Sequence, residues 1–244
     1  MAAADPLVWL SSLEGVPSGF AAARDGVDAL LRDRGLRRTT PEQTAESLLR
    51  GAHASAVLEG SGSTLDQVRN GGGDEVAQAA LRVSAELLSL VPVLARSPLQ
   101  AFARLHALAG SGAVEDDRLG RPVEAAAAER LATLAQTLLA TTAPAMLVAA
   151  VAHAELAVVS PFASHNGIVA RAVERLLLVA RGVDPASLVV PEAGHLALRQ
   201  EYESNLRGYR DGGRAGMHAW LLYAAEAYAR GAEASPLQDP PDHR

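Results

Sequence analysis

The chain has 244 residues, of which 49% are apolar and 20% charged, with a net charge of −6 and no cysteine. That length allows one sizeable domain, or one domain with an appendage. Without cysteine there are no disulfides, thiolate metal sites or cysteine nucleophiles, and a reducing cytoplasm is the expected setting. All the basic residues are arginine and none form a run, which argues against a nucleic-acid surface.

Helical periodicity prevails along the whole chain and no segment alternates long enough for a strand, so the fold class expected is all-α, a single compact domain. The N-terminus carries no charged region before its brief apolar patch LVWL, so no signal peptide is expected. Helices are expected near 18–34, 41–58, 64–70, 74–91 and 98–109. Thr40-Pro41-Glu42-Gln43 and Ser97-Pro98-Leu99-Gln100 read as starts, each with a capping hydroxyl, proline at the first helical position and Gln at N3. Gly60, the Asn70-Gly71-Gly72-Gly73 loop, Gly110 and Gly182 read as stops.

GSGAVEDDRLG, residues 110–120, reads as a polar loop, and further helices are expected near 122–142, 144–158, 167–182, 194–208 and 214–231. The apolar run from Ala143 to Val159 contains His153 and Glu155. It is shorter than the ~20 residues of a membrane span, so it is read as a buried core helix. The tail 233–244, EASPLQDPPDHR, has the composition of a disordered segment.

Between two core-like helices lies SPFASHNG, Ser160 to Gly167. A loop ending in Asn-Gly that opens a helix is a physical anion site, because free backbone N–H groups and the positive helix end meet there. Arg171, one turn along, can reach back to the same place. Among the histidines, His53, His106, His195, His218 and His243 show no i, i+4 pairing with another ligand residue, and His153 reads as a core histidine; no metal is assigned. Gly60-Ser61-Gly62-Ser63 lacks a phosphate-binding lysine and reads as a helix stop followed by a cap.

AHAELAVVSPFASHNGIVARAVERLLL resembles the central motif of the Fic (Fido) family, an Ala-His helix followed by His-Pro-Phe-x-Asp-Gly-Asn-Gly-Arg-x-x-Arg. Pro161, Phe162, Asn166, Gly167 and Arg171 match in register. Upstream, Ser55-Ala56-Val57-Leu58-Glu59-Gly60 is similar to the inhibitory motif that many Fic proteins carry, and Tyr202, Leu206 and Trp220 stand where the closing Fic helices are expected. The resemblance implies a Fic-like helical bundle over 40–232, with the inhibitory-type helix at 41–60, preceded by a helical extension over 1–39.

Fic proteins, as the resemblance implies, transfer AMP from ATP to a hydroxyl of a target protein. The motif's His serves as base, its Asp as magnesium ligand, its Gly-Asn-Gly backbone as phosphate cradle and its two Arg as phosphate ligands. Here the base position is Ser160, which cannot accept a proton near neutral pH. The Asp is Ser164, a poor magnesium ligand, the first Gly is His165, and the first Arg is Ile168.

The expectation is therefore a pseudoenzyme with no catalytic residue. It would bind a nucleotide-like anion such as ATP at Asn166, Gly167 and Arg171, or a partner protein, without magnesium. Ser55, Glu59 and Gly60 form the inhibitory-type motif, and Glu59 is expected to pair with Arg171. The alternative is an active nucleotidyl- or phosphoryl-transferase with altered catalytic residues. Neither nucleic acid nor membrane is expected as a partner.

Overall fold

The computed structural model describes residues 5–33 and 39–239. Residues 1–4 and 34–38 of the expected extension, and the tail beyond 239 with His243, lie outside the described residues. Among the described residues there are helices and turns and no strand.

A short 3-10 turn at Val8–Ser12 leads into α1 (Val16–Asp33), and the bundle follows: α2 (Pro41–Leu58), α3 (Leu65–Arg69), α4 (Glu75–Glu86), α5 (Val91–Arg96), α6 (Pro98–Gly110), α7 (Ala125–Ala140), α8 (Ala145–Val159), α9 (Asn166–Ala180), α10 (Pro191–Ala197), α11 (Arg199–Asp211) and α12 (Gly213–Glu233).

The central pair is α8 against α9. The first of these is buried on every side, from Met146 to Ala154 and again at Leu156, as expected of a helix that is apolar all round. On α9, Ile168 to Leu178 is buried without interruption. Because that run includes Arg171, Glu174 and Arg175, three ionisable side chains are carried into the core, where each needs a partner. The remaining helices surround this pair, α2 with α4 and α10 on one side and α12 with α1, α10 and α11 on the other.

Side-chain capping sets the starts of α2, α3 and α4. Thr40 and Thr64 each build a complete capping box, with Gln43 and Gln67 reaching back to the cap N–H. Ser97 does not, contrary to expectation: it also closes α5, donating its N–H to Val93 O at 2.7 Å. Its ψ of 78° differs from the 155° at Thr40, so its hydroxyl is not presented to the next turn.

Three further expectations are corrected. The helix expected over 194–208 is two, broken at Leu198, where the chain turns from packing on α2 to packing on α8 while both halves stay against α12. The helix expected from 122 begins at Ala125, since Val123 donates its N–H to Pro161 O at 2.9 Å instead. The tail is ordered as far as Asp239: Ser235 caps a 3-10 turn at Pro236–Gln238, Leu237 is buried, and Asp239 pairs with Arg50. One anchoring leucine and one ion pair outweigh the polar composition there.

Glu75–Arg96 is long and apolar enough to cross a membrane by length and composition. In the fold it is interrupted by a 3-10 turn at Leu87–Leu90, and its buried Ala80, Val83, Leu87 and Leu94 belong to the main core.

Candidate functional site

The loop from Ser160 to His165 joins α8 to α9, and its conformation is costly. Ser160 has φ +46° and His165 φ +55°, left-handed values that cost a non-glycine residue about 1 kcal/mol or more. Asn166 holds the loop in place, its Oδ1 accepting from Phe162 N at 2.9 Å and its Nδ2 donating to Phe162 O at 2.8 Å. The side chain of Asn166 is therefore a lock on the loop, and its backbone is what remains for a ligand.

Beneath the loop the Phe162 ring stacks on His106, with centroids 4.4 Å apart and planes within 6°. His106 is fully buried and its Nδ1 accepts the Gly120 N–H at 2.9 Å, which leaves the proton on Nε2, where it has no partner. Burial, with a smaller contribution from His165, pushes His106 down to about 4. The segment after Gly110 is thus tied to the motif twice, through His106 and through Val123.

Each altered motif position has its own surroundings. Ser160 spends its hydroxyl on Ala157 O at 2.9 Å. Ser164 Oγ lies 2.6 Å from His165 Nδ1. Burial lowers the His165 pKa and Arg82 lowers it further, against the pull of Glu59, so its ring is neutral. Ile168 is buried in the core and presents nothing to the loop.

Arg171 is 1% exposed and almost saturated. Its Nε donates to Ser55 Oγ at 2.9 Å, Nη2 to Ser55 O at 3.1 Å and to Glu59 Oε1 at 2.8 Å, and Nη1 to Tyr202 OH at 3.0 Å. Tyr202 and Glu59 outweigh burial and keep the guanidinium charged. Glu59 is the C-cap residue of α2, and Gly60 follows it at φ +94°.

Glu59 also covers the start of α9. A Cβ on Gly167 would lie 2.1 Å from Glu59 Oε1 and 3.1 Å from Arg171 Nη1. Only glycine leaves room for the carboxylate there. No side chain caps α9. Glu59 thus lies against both Gly167 and Arg171, and Ser55 holds Arg171 from the same helix, whereas Asn166 turns its side chain onto Phe162.

The residues missed in sequence lie behind Arg171. His153, on α8, places Nδ1 2.9 Å from Glu174 Oε2, and His195, on α10, places Nε2 2.9 Å from the same oxygen. Tyr228 OH donates to Glu174 Oε1 at 2.9 Å. His153 Nε2 meets Tyr202 OH at 3.0 Å, and His195 Nδ1 meets Tyr223 OH at 2.7 Å. His153, Glu174 and His195 are wholly buried.

Burial pushes His153 down to about 4 despite the neighbouring carboxylate. Glu174 itself is held below the usual carboxylate range, because His153 and His195 overcome its burial. His153 was expected to be a core histidine and is one. His195 was read as isolated and is not, because its partners come from α8 and α9 rather than from its own helix. The three residues offer ligand atoms within 4.8 Å of one another, a donor set that could hold a transition metal.

No protein-family model matches the sequence, and no curated protein matches it. Solved structures do. A Fic family protein from Desulfovibrio desulfuricans G20 is similar with a TM-score of 0.73 at 18% identity, over 91% of this chain and 74% of that one. A fragment of Fic-1 from C. elegans is similar with a TM-score of 0.69 at 16% identity, over 89% and 71% of the two chains. At such identities the likeness is one of fold: the chain has the all-α fold of the Fic-family proteins.

Proposed function

We propose that this protein is a degenerate Fic-fold domain that works by binding an anion, a nucleotide such as ATP being the leading candidate, and does not transfer AMP. The observation that carries this reading is the place of the Glu59 carboxylate, 2.8 Å from Arg171 Nη2 and seated over Gly167 at the open end of α9. A space that accommodates one carboxylate offers an anionic ligand the same donors.

Chemistry is another matter, since the position of the base is a serine whose hydroxyl is turned onto its own helix. With Ser164 where the family has its metal-binding Asp, magnesium is not needed for binding. The chain's lack of cysteine suits the cytoplasm, where ATP is plentiful.

A second reading, nucleotidyl or phosphoryl transfer by altered residues, has one observation in its favour. His165 is neutral, half-buried and within 2.6 Å of a hydroxyl in the same loop, as a general base would be. Calorimetric titration of ATP in magnesium and in EDTA tests the first reading. Equal affinity in both is expected, and a strict magnesium requirement overturns it.

A further inference from the structure

The hydrogen bonds behind Arg171 have one consistent direction. Arginine only donates, so Tyr202 OH accepts from Arg171 Nη1. The Tyr202 proton then has a single acceptor, His153 Nε2. That fixes the His153 proton on Nδ1, from which it is donated to Glu174.

From the other side, burial keeps Tyr223 and Tyr228 protonated. Ionised Glu174 only accepts, which draws the His195 proton to Nε2, and in that tautomer Nδ1 accepts from Tyr223. Every polar atom of this relay then has a partner, with His153 neutral and Glu174 ionised. A metal ion would need His153 Nδ1 and His195 Nε2 free of protons, and these are the two nitrogens that carry them.

We propose that Tyr202, His153 and Glu174 are positioning residues for the anion site. They form a relay of fixed proton direction that anchors Arg171 to a buried counter-charge and holds its guanidinium toward the first turn of α9. The proposal rests on the anion-binding reading of that site. Arg171 and Glu174 are one turn apart on α9, yet are coupled through residues of α11 and α8. Tyr202 is the link that touches Arg171, whereas Tyr228 is as deeply buried and directs its hydroxyl to the same Glu174 and to Met146 O.

The pair Tyr202→Phe and Tyr228→Phe separates the relay from general core stability. Both variants should lower the melting temperature. In a Glu59→Gly background, ATP titrated in EDTA should bind about tenfold more weakly to Tyr202→Phe, the loss expected for a hydrogen bond to a charged group. Binding to Tyr228→Phe should be unchanged.

Nitrogen-15 NMR should show His153 as the Nδ1–H tautomer and His195 as the Nε2–H tautomer. Slow exchange of the Arg171 Nη1 protons, which Tyr202 accepts, should become fast only in Tyr202→Phe. If Glu59→Gly binds no ATP, the anion-binding reading fails, and the exchange and tautomer measurements still decide the relay. Equal ATP affinity or equal Arg171 exchange in the two tyrosine variants overturns it. So do the opposite tautomers, or stoichiometric metal in the purified protein.

Discussion

Glu59 and Arg171, 112 residues apart in the chain, meet at 2.8 Å above the first turn of α9. Arg171 is buried and Glu59 is about a third exposed, so the carboxylate can leave and the guanidinium cannot. Ser55, one turn before Glu59 on α2, gives Arg171 two further acceptors. The helix that ends in the carboxylate therefore also supplies part of the frame that holds the arginine.

Glu59→Gly is expected to strengthen ATP binding by about tenfold or more, since a ligand no longer competes with a tethered carboxylate. Thermal stability should fall by about 1–2 kcal/mol, discounted from a fully buried pair because Glu59 is partly solvated. Titration calorimetry beside a melting curve reads both. A variant that only melts earlier, with ATP still undetectable, makes the pair a structural clasp.

Incubation with labelled ATP and magnesium should leave no label on the protein or on lysate proteins, for wild type and for Glu59→Gly alike. A general base is worth about 10²–10⁴ in rate, and Ser160 supplies none. Label that appears, and disappears in His165→Ala, would favour the transferase reading and identify its base.

Stability should depend on pH through the buried histidines. His153 and His106 titrate near 4 in the fold against 6.5 unperturbed. Between those values the unfolded chain binds protons that the folded chain does not, so stability rises with pH. It should be flat above about pH 7 and fall by a few kcal/mol in total on acidification from 6.5 to about 4. Glu174, whose carboxyl is held below its ordinary value, adds to the loss below that. Urea midpoints measured from about pH 7.5 to about pH 4.5 check the slope, and a flat profile would mean that these histidines are protonated in the fold.

Much of this was legible in the sequence because it is local. Thr40 announces α2 through a capping box formed within four residues, and Gly60 and Gly182 end helices at positive φ as their positions imply. The motif residues Pro161, Phe162, Asn166, Gly167 and Arg171 are contiguous on either side of one turn. The Glu174 cluster was not legible, since His153, Glu174 and His195 lie on three helices with no common spacing.

One signal was available. A helix written IVARAVERLLLVA carries Arg171, Glu174 and Arg175 among apolar residues, and charges on a buried helix must be paired inside. Arg175 obeys the same rule, reaching Glu192 at 2.9 Å and the backbone of Val189 at 2.8 Å. Ser97 failed as a cap because two helices share it, which no local pattern reveals.

The fold is expected to be least tolerant where α10 crosses α12. A Cβ on Gly194 would lie 2.0 Å from Ala227 O and 2.9 Å from Gly231 N, backbone atoms that cannot move without parting the helices. Gly194→Ala should cost about 3 kcal/mol or more and loosen His195, the next residue, from Glu174. Loss of cooperative melting near room temperature is expected. A melting temperature close to wild type would show that the two helices do not pack this closely.

Gly167→Ala tests where the anion sits. The new methyl would overlap the Glu59 carboxylate at 2.1 Å, but that is the end of a flexible, partly exposed side chain, which can swing outward. The lost ion pair, about 1 kcal/mol, is offset by the helix preference of alanine over glycine, up to about 1 kcal/mol. Stability should therefore change little. Binding should not behave like that of Glu59→Gly, because the methyl occupies the space the carboxylate has left. The double variant Glu59→Gly/Gly167→Ala is expected to lose the ATP affinity gained by Glu59→Gly alone, while Arg171 remains anchored to Ser55 and Tyr202. If the double variant binds ATP as tightly as Glu59→Gly, the anion does not lie over the first turn of α9, and Arg171 is not its partner there.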